Sequence, residues 1–370
     1  LNSLKIALLT SSRADYGIYL PLLTALQKDT FFELHIIAFG THLSPMYGET
    51  VNRITEDGFT VSCKVDTMPD GDAPESIACA MGKTMIAFSD IWEKNSFDLI
   101  IALGDRFEMF AACASSVPFG IPIAHIHGGE TTLGSIDDAF RHSITQMATY
   151  HFTATDIYRA RVIALKGSDK NVYNVGALSI DNLKSMNLLS IDAFRKEFGI
   201  DLSIPSILIT FHPETVDYHK NEVYVEELTA ALQEIKGYQF IFAMPNADTM
   251  GNMIRERLNH FISVNQNAIG VESFGALVYL SCMKHCTMML GNTSSGFIEA
   301  SFFPKYVINI GERQLGRIVT SNIYTCPIQR EEIIKAVACF EARKPTEKIS
   351  IYGSGTAAQQ IVSIIKKEFS

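Results

Sequence analysis

The chain has 370 residues, enough for two domains, and its 47% hydrophobic and 19% charged content is that of a globular rather than a disordered protein. A formal net charge of −9 excludes a nucleic acid or an acidic membrane surface as partner, because both demand a basic footprint; any bound anion must be met by a local site. The cysteines, Cys63, Cys79, Cys113, Cys282, Cys286, Cys326 and Cys339, contain no Cys-x-x-Cys pair and read as reduced, mostly buried thiols.

In chain order, the first element is LKIALLT, a strand-like run with neither a basic flank nor a small-residue cleavage site. No segment approaches the about 20 apolar residues of a membrane span, so a cytoplasmic protein is expected. Apolar or β-branched runs then recur, each ending in Gly, His or Asp: KIALLTSSRADYG, ELHIIAFGTHL, DLIIALGDRFE, IPIAHIHGGE and HFTATD. Helical patterns follow them, as in IDDAFRHSITQMA, where Ile136, Phe140, Ile144 and Met147 form a stripe. The series restarts after about residue 176 with SILITFHPE, YQFIFAMPNAD, AIGVESF, CTMMLGNTSSG and YVINIGERQ. Strands alternating with helices predict an α/β fold with parallel sheets. Two similar lobes, 1–176 and 177–354, are expected to face a cleft, hinged near NVGALSIDNL. The final GTAAQQIVSIIKKEF reads as a helix of either lobe.

In open parallel sheets the ligand sits beyond the carboxyl ends of the strands, so the residues just after each strand carry the weight. GNTSSG, residues 291–296, follows a buried run and precedes an expected helix, whose free N–H groups and hydroxyls suit an oxyanion or a plain cap. Arg13, Arg106, Arg313 and Arg317 also follow strand ends. Arg106 falls in a first helical turn, where the macrodipole disfavours a cation unless an anion is near; four such arginines suit a diphosphate. Asp105, Glu130, Asp137 and Asp138 are candidate acid/base groups, against which Asp137 and Arg141 make an ordinary i,i+4 pair. His212, at the end of SILITFH, is a candidate acid or phosphate donor. His125 and His127 would share one side of an extended run. They lack the further ligands of a zinc site, as does CMKHC around His285, so no metal is expected.

Taken together, SSRADYG (11–17), GTHLSPMYG (40–48), LGDRFE (103–108), HIHGGE (125–130), IDDAFRHSIT (136–145), FHPET (211–215), PNAD (245–248), GNTSSGFIE (291–299) and GERQLGR (311–317) make the chain resemble the hydrolysing UDP-N-acetylglucosamine 2-epimerases of bacterial sialic-acid synthesis. The resemblance implies a GT-B-like fold of two Rossmann-like, doubly wound domains, the C-terminal helix 355–370 returning to the first. It implies a UDP-sugar in the cleft, no cofactor, and a homodimer or homotetramer. The implied reaction is anti elimination of UDP after loss of the C2 proton, giving 2-acetamidoglucal, then syn addition of water to release N-acetylmannosamine.

Carried over by position, Arg13, His212, Asn246, Phe274, Thr293, Ser294, Glu299 and Arg313 become uridine and diphosphate contacts. His42 and Arg141 become sugar-lining groups, and Asp105, with Arg106 beside it, and Asp137 become acid/base groups. Animal-type members carry Glu where this chain has His127, so the third acid/base role falls on His127 or Glu130, with Glu130 the expectation. GGE in place of the AGLR string of non-hydrolysing epimerases favours release of the free sugar. The motifs leave the sugar's C4 and C6 substituents open, so a UDP-2,4-diacetamido-2,4,6-trideoxy sugar is the alternative substrate. A GT-B glycosyltransferase and a non-catalytic nucleotide-sugar sensor are the readings from other classes.

Overall fold

The computed structural model describes residues 3–245, 251–272, 274–303, 305–341, 349 and 351–370. The chain divides into two compact units. The first comprises Leu1–Glu130, Asp137–Lys184 and Ile351–Ser370; the second comprises Thr131–Ile136 and Ser185–Ser350.

In the first unit the strands are β1 (Leu4–Thr10), β2 (Phe32–Phe39), β3 (Val61–Val65), β4 (Leu99–Leu103), β5 (Ile123–Ile126), β6 (Tyr150–Thr153) and β7 (Val172–Asn174). They pair in parallel in the order β3-β2-β1-β4-β5-β6-β7. β4 is buried at every position, as a strand covered by helices on both faces must be. Alternation along β1 divides the core. Ile6 and Leu8 pack with Tyr19, Leu22 and Ile361, whereas Ala7 and Leu9 pack with Phe88, Trp92 and Ile100.

The helix Ala357–Glu368 belongs to this unit because Ala357, Ala358, Ile361 and Ile365 complete the first of these cores. Asp181 fixes its start: one carboxylate oxygen accepts the Ala357 N–H at 3.0 Å and the other the Ala358 N–H at 2.8 Å. That clamp keeps the helix Leu178–Ser185 with the first unit, so the division falls after Lys184 rather than at the expected 176/177.

The second unit holds β8 (Ser206–Thr210), β9 (Gln239–Ala243), β10 (Ala268–Val271), β11 (Met288–Gly291), β12 (Tyr306–Ile310) and β13 (Ile323–Cys326), parallel in the order β10-β9-β8-β11-β12-β13. The segment Thr131–Ile136 joins it by backbone pairing: Leu133 N–H donates to the Leu315 carbonyl at 3.0 Å, and Thr215 N–H to that of Gly134 at 3.3 Å. β3, β7 and β13, all at sheet edges, are additions to the runs expected from sequence. No described helix is long and apolar enough to cross a membrane.

Both sheets reverse direction beside their first strand, between β1 and β4 in one unit and between β8 and β11 in the other. Such a switch point opens a crevice at the carboxyl ends of the strands.

Candidate active site

At the first switch point the turn after β1 is held by a reciprocal cap. Ser12 accepts the Asp15 N–H, and the Asp15 carboxylate accepts the Ser11 N–H at 2.6 Å and the Ser12 hydroxyl. Arg13 is the first residue of the helix that this cap starts. The turn packs against Gly40, where a Cβ would lie 2.8 Å from the Ser11 carbonyl oxygen. Two residues on, His42 is 0% exposed, with Nε2 2.9 Å from the Thr10 hydroxyl and Nδ1 2.8 Å from that of Thr50. Burial holds its pKa below the ordinary histidine value. With both nitrogens engaged, His42 ties β1 to the segment after β2.

The turn after β4 carries Asp105 and Arg106. Arg106 is the N-cap of the helix Phe107–Ser116, and its counter-ion is a side chain: Nε and Nη2 each lie 3.2 Å from a Glu108 carboxylate oxygen. The anion expected beside Arg106 is thus supplied, at least in part, by Glu108, which is 1% exposed. Burial raises the Glu108 pKa, and the nearby Arg106 opposes that rise.

Arg141 gathers the remaining groups. Its guanidinium pairs with Asp105, donates to the His127 carbonyl at 3.0 Å, and lies 3.7 Å from Glu130 Oε2. Glu130 Oε1 is 2.5 Å from His127 Nδ1. Asp137 is the first residue of the helix that carries Arg141. Arg141 thus joins groups from the turns after β4 and β5 to its own helix.

His125 and His127 do not share a side of one strand. His125 lies within β5, its Nε2 2.8 Å from the Gly104 carbonyl and its Nδ1 3.1 Å from the Thr145 hydroxyl, and burial pushes its pKa down to about 3. His127 stands past the strand end at φ +65°, a left-handed conformation rare for a residue with a side chain. Among the described residues no group of three or more His, Cys, Asp or Glu is arranged to hold a metal ion.

At the second switch point Gly291, at φ +147°, lets β11 close on β8: a Cβ there would lie 2.0 Å from the Thr210 carbonyl oxygen. Asn292 then pairs with the backbone of His212, accepting its N–H at 2.7 Å and donating to its carbonyl at 2.8 Å. Gln314 donates to the Asn292 carbonyl at 2.8 Å, and Arg317 Nε to Gln314 Oε1 at 2.6 Å. Arg313 Nε reaches the Pro213 carbonyl at 3.2 Å. Gly134 lies against this turn, since a Cβ on it would come 2.6 Å from the Arg313 Cα. Glu214 accepts the Glu312 N–H at 2.7 Å; its pKa is raised by burial. These contacts bring FHPET, GNTSSG and GERQLGR together.

The Ser295 hydroxyl is 2.6 Å from that of Tyr279 and 3.2 Å from that of Thr293, and Phe274 lies 6.2 Å from the Tyr279 ring, centroid to centroid. The helix expected after GNTSSG is a single tight turn, Ser294–Gly296, and a four-residue helix Glu299–Phe302, so no extended helix dipole points at this loop. Ser294 is part-exposed at the start of the tight turn, and Glu299 is the buried first residue of the short helix. Asn246 lies outside the described residues. Sequence reasoning missed Glu108, Asn292, Gln314 and Tyr279 as parts of the site; the first three lie inside the quoted motifs and were there to be weighed.

Two units, each built on a parallel sheet with Rossmann-type strand order, place the chain in the GT-B-like class of α/β proteins. The crystal structure of UDP-GlcNAc 2-epimerase from Neisseria meningitidis bound to UDP-GlcNAc has this fold, matching with a TM-score of 0.82 at 16% identity over 98% of this chain and 100% of that one. The family model for UDP-N-acetylglucosamine 2-epimerase matches residues 24–366. GDP/UDP-N,N'-diacetylbacillosamine 2-epimerase (hydrolyzing) from Campylobacter jejuni is 36% identical over 320 residues, covering 86% of this chain and 83% of that protein. Polysialic acid biosynthesis protein P7 from Escherichia coli is 33% identical over 341 residues, covering 92% and 87%. The chain belongs to the UDP-N-acetylglucosamine 2-epimerase family.

Proposed function

We propose that the protein is a hydrolysing 2-epimerase that takes a UDP-2-acetamido sugar and water to the free 2-epimeric sugar and UDP. A base removes the C2 proton, its bonding electrons form the C1–C2 double bond, and the C1–O bond breaks with UDP leaving on the opposite face. Water then adds across the glycal, hydroxyl to C1 and proton to C2. The first unit supplies the acid/base groups Asp105 and Asp137 and the pair His127 and Glu130. The second supplies uridine and diphosphate contacts from His212, Phe274, Thr293, Ser294, Glu299 and Arg313, with Asn246 added by resemblance. Arg13 and Arg106, on the first unit, offset diphosphate charge. The protein is cytoplasmic and a homo-oligomer in this reading.

The observation that carries the reading is the gathering of Asp105, His127 and Glu130 around Arg141 at the carboxyl ends of β4 and β5. Proton abstraction and return at one carbon need more than one titratable group within reach.

UDP-N-acetylglucosamine, giving N-acetylmannosamine, is the first substrate reading. UDP-2,4-diacetamido-2,4,6-trideoxyglucose is the second, favoured by the name of the Campylobacter relative. Incubating the protein with each nucleotide sugar in D2O tests both. Free sugar bearing deuterium at C2, with one equivalent of UDP, is expected from one of them. Release of UDP without C2 deuterium would overturn the elimination and point to transfer or simple hydrolysis.

A further inference from the structure

The turn His127-Gly128-Gly129-Glu130 folds back on itself so that residue 130 lies under residue 127. Gly129, at φ +78°, makes this possible: a Cβ there would be 2.4 Å from the Tyr158 carbonyl oxygen. A Cβ on Gly128 would press His125 Nδ1 and the Thr145 hydroxyl, each at 3.1 Å. His127 itself is held at both ends of its backbone, its N–H donating to the Phe152 carbonyl at 3.0 Å and its carbonyl accepting from Arg141. A left-handed histidine fixed this firmly is strain that the surroundings maintain.

The side chains divide unequally. Glu130 is 1% exposed, one oxygen 2.5 Å from His127 Nδ1 and the other 3.7 Å from Arg141 Nη1. A carboxylate only accepts, so in the neutral ring the proton facing Glu130 would sit on Nδ1 and the lone pair on Nε2. Nε2 is buried and has no hydrogen-bond partner among the described residues. It is therefore the atom of the pair that is left to act, while Glu130 is occupied beneath it.

We propose that His127 Nε2 takes the proton from C2 of the sugar and that Glu130 is a positioning residue acting through His127. The proposal rests on the hydrolysing-epimerase reading above. The Nε2 lone pair bonds the C2 hydrogen, the C2–H electrons form the C1–C2 double bond, and the C1–O pair leaves with UDP. The imidazolium so formed is balanced by the Glu130 carboxylate and passes its proton to solvent before the next turnover. Inversion at C2 requires the new hydrogen to arrive on the other face, so a different group, Asp105 or Asp137, delivers it.

The test uses the full chain with whichever nucleotide sugar the wild type turns over. His127→Ala is expected to lower kcat on the order of 10²–10⁴-fold, the range for a general base, while UDP affinity stays within about twofold. Added imidazole should restore part of that loss in His127→Ala and none in Asp105→Asn. Glu130→Gln should lower kcat on the order of 10²-fold or more at unchanged KM, and the double variant should be no slower than His127→Ala alone. His127→Gln, closer in shape, repeats the measurement if the alanine variant loses UDP binding. Failure of imidazole to rescue, or a double variant whose losses multiply, would overturn the coupling and return the role to Glu130. Wild-type protein that releases UDP from neither sugar sinks the underlying reading instead.

Discussion

Arg106 and Glu108 form a two-pronged ion pair across the start of the helix Phe107–Ser116, the carboxylate buried and the guanidinium above it. Glu108→Ala removes a buried carboxyl with two charge-assisted hydrogen bonds and leaves a hole in its place, so it should cost about 1–3 kcal/mol, read by urea unfolding. Glu108→Gln separates charge from shape. Because burial lifts the Glu108 pKa above its ordinary 4.5, the wild type gives up stability as pH rises from that value through the raised one. The glutamine variant should therefore gain on the wild type as unfolding is repeated from pH 4 to pH 7.

His125 has the opposite sign. It is neutral in the fold, pushed down to about 3, whereas the unfolded chain protonates near 6.5, so its contribution is complete above 6.5 and is lost as pH falls toward 3. His125→Gln should be less stable at pH 7 by about 1–3 kcal/mol, through lost hydrogen bonds to Gly104 and Thr145. That gap should narrow on acidification to pH 4, followed by the same unfolding assay.

At Gly291 the obstruction is backbone, the Thr210 carbonyl, which cannot swing aside as a side chain can. Gly291→Ala should destabilise the second unit by at least about 3 kcal/mol and shift Asn292 off His212. A drop of roughly 2–4 °C in Tm for each kcal/mol, together with weakened UDP binding by calorimetry, is the expected result.

Asp105→Asn keeps the shape of a group paired with Arg141 and removes its charge and its capacity to carry a proton. Turnover should fall on the order of 10²–10⁴-fold with UDP affinity nearly intact. Full activity in this variant would remove Asp105 from the acid/base set.

The interior strands were legible because burial on both faces writes a continuous apolar run: LIIAL and SILIT are buried at every position. The edges were not. β3 (VSCKV) alternates between exposed and covered positions, β7 has three residues, and β13 (IYTC) exposes its two middle ones. The placing of candidate residues just past strand ends followed from topology alone, as Asp105 after β4 and His212 after β8 illustrate. Their partners did not, because Arg106 meeting Glu108, or Arg141 meeting Asp105, depends on side-chain direction. The φ of His127 was equally invisible, since a histidine in an extended run is the ordinary reading and the tight Gly-Gly turn overrides it.

The clamp of Asp181 on Ala357 and Ala358 also orders events during synthesis. The ribosome makes every residue of the second unit, 131–136 and 185–350, before the last piece of the first, 351–370, emerges. Domains fold as units once their sequence is available, usually the N-terminal one first. Here the unit that begins the chain must wait, its β1 face uncovered where Ile361 and Ile365 will sit, until the unit that begins later is already complete.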